Sequence, residues 1–161
     1  MAESGFFKVS EIVQMAIDEE HNGTIFYETL QKVATSPALK EFAKRLAIEE
    51  HGHEKAFTEL RESLEAYDPP ETYPGEYADY VNVLVSGKTF PEDEDAAKLA
   101  REAGGDVQAI DTAIRFEKNT LLFLNEMRRL VPDRDQPTIE ELVEEERRHL
   151  VELTKIRADL A

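Results

Sequence analysis

Leu46-Ala47-Ile48-Glu49-Glu50-His51-Gly52-His53 and Leu142-Val143-Glu144-Glu145-Glu146-Arg147-Arg148-His149 decide how this chain is read. Each holds a Glu-x-x-His, Glu50 with His53 and Glu146 with His149. Residues at i and i+3 share one face of a helix, so each phrase presents a carboxylate and an imidazole to one point. One further glutamate precedes each phrase by about a helix length, Glu20 before Glu50 and Glu117 before Glu146.

Working outward, four long helical patterns carry these residues. The first runs from about Val9 to Ala34, with Val13, Ala16, Ile17, Glu20, Thr24, Tyr27, Leu30 and Ala34 at the 3–4 spacing of a core-facing stripe. The second opens at Ser36-Pro37, an N-cap followed by proline at N1, and runs to about Ala66. Its stripe is Phe42, Leu46, Glu50, His53, Phe57, Leu60 and Leu64.

The third pattern follows Gly104-Gly105, takes Asp106 as its N-cap, and stops before Pro132, with Ile110, Ile114, Glu117, Leu121 and Leu124 as its stripe. The fourth opens on a capping box, Thr138-x-x-Glu141, and carries Ile139, Leu142, Val143, Glu146, His149, Leu150, Leu153 and Ile156. No strand pattern of comparable strength competes. The expected fold is an all-α four-helix bundle of two helix pairs, about 9–66 and 106–160, in one domain spanning 1–161.

Residues 67–105 connect the pairs. Asp68-Pro69-Pro70 and Tyr73-Pro74-Gly75 are turn material. Tyr77, Tyr80, Val81, Leu84 and Val85 predict a short helix ending at Gly87, and 91–103 predicts another. This length suits a crossover along the bundle, or an arm exchanged with a second subunit in a homodimer.

Glu20, Glu50, His53, Glu117, Glu146 and His149 interrupt the apolar stripes near their midpoints. An ionised carboxylate in a dry core costs several kcal/mol unless it is paired or binds metal. Two divalent cations bring four positive charges against four carboxylates and leave the site near neutral. Carboxylate-rich sites with imidazole suit iron or manganese and tolerate zinc. A structural metal pair in a sequestering bundle and a metal-free proton-sharing core are the alternatives.

Composition narrows the classes. The sequence has no cysteine, which excludes disulfides, Fe–S clusters and thiolate zinc sites. A net charge of −16 disfavours nucleic acid and anionic membranes as partners. No stretch approaches the ~20 apolar residues of a membrane span. No signal-peptide pattern opens the chain, so a cytoplasmic location is expected.

A glutamate from each of two helices plus Glu-x-x-His from each of two others is the ferritin-like di-iron pattern. The sequence specifically resembles the rubrerythrin family. The resemblance rests on Glu20 through Phe26-Tyr27, on 46–53, and on Ala113-Ile114-Arg115-Phe116-Glu117-Lys118. It implies two iron ions, with Glu20 and Glu117 as terminal ligands, Glu50 and Glu146 as bridges, and His53 and His149 binding one ion each. It also implies an oxidoreductase that reduces peroxide or O2 while oxidising Fe(II), in oxidative-stress defence or iron handling.

Two departures from the family matter. Rubrerythrins proper carry a C-terminal rubredoxin domain with a four-cysteine iron site; with no cysteine here, the resemblance implies a short form served by an external electron donor such as a rubredoxin. The family's extra glutamate one turn after the third helix's ligand is Thr120 here. The remaining six-residue set resembles the ferroxidase centre of bacterioferritins. Their haem methionine corresponds to His51, a haem ligand or, on the simpler reading, a solvent-facing histidine.

Other residues carry paired readings. Tyr27 either hydrogen-bonds a ligand carboxylate or serves as a redox-active phenol, or it is a core tyrosine with a satisfied hydroxyl. Its counterpart in the other half is Leu124. Glu49 and Glu145 either orient a histidine across the bundle or face water. Gly23 and Gly52 either permit close approach or are tolerated inside helices. Met15 and Met127 read as core filler.

Overall fold

A computed structural model describes residues 9–64 and 93–161 and, between them, Tyr67, Gly75, Glu76, Asp79 and Val83. Among the described residues there are five helices and no strand: α1 (Val9–Val33), α2 (Pro37–Ser63), α3 (Asp93–Arg101), α4 (Asp106–Leu130) and α5 (Gln136–Leu160). The expected helix at Tyr77, Tyr80, Val81, Leu84 and Val85 lies outside the described residues. No described helix is long and apolar enough to cross a membrane.

The buried apolar residues form two clusters, one toward each end of the bundle. One joins Phe26, Leu30, Leu39, Phe42, Leu46, Ile110, Phe116 and Leu153. The other joins Ile12, Val13, Ile17, Phe57, Leu60, Leu124, Met127, Ile139 and Leu142. Each long helix passes from one cluster to the other, and the order in which it does so gives its direction. α1 and α5 run from the second cluster to the first; α2 and α4 run from the first to the second. α1 is therefore antiparallel to α2, α4 is antiparallel to α5, and α2 and α4 are parallel. The first residues of α4 therefore lie at the end of the bundle where α2 begins, not where it ends. The small side chains Ala96 and Ala100 let α3 lie against α1, in the same cluster as Phe26 and Leu30.

Local signals explain the α1–α2 turn. Ser36 has extended backbone and its hydroxyl accepts from Leu39 N at 3.3 Å, with Pro37 opening the helix. Two other expected caps are corrected. Gly105, not Asp106, is the N-cap of α4. Asp106 turns its carboxylate to the α1–α2 turn instead, accepting from Thr35 N at 3.0 Å, Thr35 Oγ1 at 2.9 Å and Ser36 N at 2.6 Å. These donors belong to another helix's N-terminus, where a carboxylate is electrostatically favoured. At α5 the helix starts at Gln136 with Asp135 at the N-cap, so Thr138 already lies inside the first turn and does not cap it. Pro137, tolerated only in a helix's first turn, fixes that earlier start.

The expected face of α4 is rotated. Ala109, Ala113, Phe116 and Thr120 are buried beside Ile110, Glu117 and Leu124, while Ile114 and Leu121 stand at the margin. Phe116 accounts for this by closing onto α1 at Gly23, where an added Cβ would meet the ring at 2.5 Å. Gly52 has nothing within reach of an added Cβ and faces outward. Met127 is buried in the core and Met15 packs at its edge.

Candidate metal centre

The four long helices deliver their polar residues to one layer between the two apolar clusters. Glu20 comes from α1, Glu50 and His53 from α2, Glu117 from α4, and Glu146 and His149 from α5. All six are buried, Glu50, Glu117 and Glu146 completely. Burial follows from the helix repeat: each occupies an apolar-stripe position, and the stripes face one another.

Donor atoms of Glu20, Glu50, His53 and Glu146 lie within 4.8 Å of one another, as do those of Glu50, Glu117, Glu146 and His149. Glu50 and Glu146 belong to both groups. His53 Nδ1 lies 2.8 Å from Glu146 Oε1, 3.5 Å from Glu20 Oε2 and 3.7 Å from Glu50 Oε2. His149 Nδ1 lies 3.2 Å from Glu146 Oε2, 3.5 Å from Glu50 Oε1 and 3.7 Å from Glu117 Oε2. The two imidazoles face each other with centroids 5.8 Å apart and planes 20° from parallel.

Several of these atoms lack conventional partners. Glu20 Oε2, both oxygens of Glu50 and Glu117 Oε2 are buried and make no hydrogen bond. An unpaired buried carboxylate oxygen is costly. Oxygens that converge with imidazole nitrogens in this way form a donor set suited to cations.

Protonation records the strain. Burial, then the charge of Glu50, pushes the Glu20 carboxyl well above its usual range. Burial and Glu146 push Glu117 to about 8. Burial lowers both histidines, but the surrounding carboxylates outweigh it: His149 rises to about 12, and His53 is likewise raised, by Glu146 and Glu20. Burial and Glu50 push Glu146 up, but its contacts with Glu117, His149 and His53 leave it below the ordinary value.

The surrounding residues sort out as follows. The Tyr27 hydroxyl donates to Glu117 Oε1 inside the core. Burial, with the Glu117 charge beside it, raises the phenol well above its normal value. Leu124, the corresponding residue in the other half, is buried and apolar. Glu49 and Glu145 reach histidines on opposite helices: His149 Nε2 to Glu49 Oε2 is 2.6 Å, and His53 Nε2 to Glu145 Oε2 is 2.7 Å. Thr120 is buried on α4 one turn after Glu117 and adds no carboxylate. His51 is exposed and faces Glu54 at 3.4 Å.

No curated protein and no solved structure matches the chain. A family model described as Rubrerythrin matches residues 11–157, from the first turn of α1 to the last turn of α5. With a helical bundle that gathers its carboxylates and imidazoles into one buried layer, this chain belongs to the rubrerythrin family.

Proposed function

We propose that the protein is a di-iron oxidoreductase that reduces peroxide or O2 while oxidising Fe(II). The observation that carries this reading is the convergence of six buried donor residues into two groups sharing Glu50 and Glu146. Glu20 and His53 would hold one ion and Glu117 and His149 the other, with Glu50 and Glu146 available to both. Four carboxylates against two divalent cations leave the layer near neutral once the histidines are neutral. A ferrous pair supplies the two electrons that, with two protons, convert H2O2 to two waters.

The chain's own residues supply position and surroundings. The apolar clusters on either side limit water around the layer, which strengthens every charge interaction within it. Tyr27 holds Glu117 Oε1 and leaves Oε2 directed at His149. Glu20 has no hydroxyl in the matching place, so the two metal positions differ.

The test is anaerobic loading with Fe(II), followed by H2O2 or O2 and the near-UV absorbance of ferric carboxylate. The expected outcome is two irons per chain and oxidation much faster than in Glu50→Ala or His149→Ala. Oxidation no faster than in those variants overturns the reading. Two metals that stabilise the fold strongly but never turn over assign the site to metal sequestration instead.

A further inference from the structure

Just outside the buried layer lies a second gathering of donors. His21, His51 and Glu54 each follow, by one residue, a member of the first buried group: Glu20, Glu50 and His53. A helix turns about 100° per residue, so the residue after each buried one falls toward the outer seam between α1 and α2. There His21 Nδ1 stands 3.5 Å and His51 Nδ1 3.4 Å from the same oxygen, Glu54 Oε2. Side-chain exposure is 46% for His21, 55% for His51 and 24% for Glu54, so dissolved ions can reach all three. The same seam is pinned two turns away, where Arg61 donates to Gln14.

We propose that His21, His51 and Glu54 form a separate surface site for one divalent transition-metal ion. It stands on its own residues and does not rest on the di-iron reading. Two imidazoles and one carboxylate suit Zn(II), Fe(II) and similar ions, with water completing the coordination. Both nitrogen-to-oxygen distances exceed the roughly 2.7–3.2 Å of a good N–H···O bond. They match instead two ligands on one ion: bonds of about 2.0–2.1 Å at tetrahedral angles set ligand atoms about 3.3–3.4 Å apart. The trio is less tightly gathered than the buried groups. Closing it takes rotation of two exposed imidazoles and no movement of a helix.

The other half of the bundle has no counterpart. Lys118, Arg147 and Leu150 follow Glu117, Glu146 and His149. Two positive charges and an apolar side chain disfavour a cation there. Gly52, between His51 and His53, is exposed and has nothing within reach of an added Cβ, so no side chain at 52 crowds His51. The net charge of −16 draws cations to the surface, and this trio is where imidazoles join a carboxylate to hold one. The surface site therefore lies beside the Glu20–His53 position and not beside the Glu117–His149 one.

The test titrates the full chain with Zn(II) alone and reads bound metal by equilibrium dialysis, together with the imidazole 15N–1H resonances of the four histidines. The variants are His21→Asn, His51→Asn and Glu54→Gln, with Glu62→Gln, an exposed glutamate on α2, as the control for lost charge. Wild type is expected to bind one Zn(II) beyond those of the buried layer, with the His21 and His51 resonances shifting together. Each of the three variants is expected to lose that ion while the Zn(II)-shifted His53 and His149 signals stay in place. Glu62→Gln is expected to keep it. His21 and His51 signals that stay unmoved or shift independently, or an equal loss of metal in Glu62→Gln, overturn the proposal alone. His53 and His149 signals that never respond, beside a full response of His21 and His51, overturn the buried metal reading and support the surface site. No response from any histidine overturns both.

Discussion

The Tyr27 hydroxyl donates to Glu117 Oε1 across the bundle core, from α1 to α4, and Leu124 leaves the other half without an equivalent. This one hydrogen bond breaks the near-symmetry of the donor layer. Tyr27→Phe keeps the ring and removes the donor. It is expected to lower metal-free stability by about 1–3 kcal/mol, the cost of a buried acceptor left unpaired, as read by urea denaturation. It is also expected to bring the two metal affinities closer together in a stepwise titration.

The buried carboxylates serve binding at the expense of the empty fold. Glu50 lies between both donor groups and neither oxygen is hydrogen-bonded. Glu50→Met fills similar volume without charge. It is expected to abolish binding of the metal pair, and to raise stability in the presence of chelator by about 1–2 kcal/mol. A chelated variant melting below the chelated wild type contradicts this.

Cations and protons compete for the layer. Glu117 is raised from 4.5 to about 8, so the metal-free fold binds a proton that the unfolded chain has already released. His149, raised from 6.5 to about 12, acts in the same direction. Both contribute stability at low pH that is lost as pH rises, between about 4.5 and 8 for Glu117 and from about 6.5 upward for His149. Metal ligation requires these protons to leave. Metal affinity is therefore expected to rise with pH, and loading at neutral pH to release at least one proton per ion into a weakly buffered dye solution.

Asp106 clamps the α1–α2 turn from the first turn of α4. Asp106→Ala is expected to cost about 0.5–2 kcal/mol, the range for losing a carboxylate that satisfies helix N-terminal N–H groups. Burial raises this carboxyl, but bonds from Thr35 and Ser36 outweigh it and hold it below its ordinary 3.8. Its contribution is thus present above that value and lost as pH falls through the lower folded one. The difference between wild type and variant in denaturant melts is expected to shrink in that acid range.

The two helical glycines separate cleanly. Gly23→Ala drives a Cβ into Phe116, with 2.5 Å to Cζ, and is expected to destabilise by about 1–3 kcal/mol. Gly52→Ala meets nothing and is expected to stabilise by about 0.5–1 kcal/mol through helix propensity. Thermal melts of the two variants should move in opposite directions.

Much of this molecule is written in spacing along the chain. Glu50 with His53, and Glu146 with His149, had to share faces because a helix repeats every 3.6 residues. Their places within apolar stripes implied burial, and four buried carboxylates implied a common centre. The Ser36-Pro37 start was equally legible, because a cap is local. What depends on rotation and register between helices was not. The sequence left open whether Glu49 and Glu145 faced water or a histidine, and whether Tyr27 met a ligand carboxylate. It assigned Asp106 to its own helix when the nearer donors lay at Thr35 and Ser36. Residues within one helix hold a fixed geometry whatever surrounds them. Pairs such as Glu145 with His53, or Tyr27 with Glu117, exist only once Phe116 has closed on Gly23 and the helices have settled into one packing.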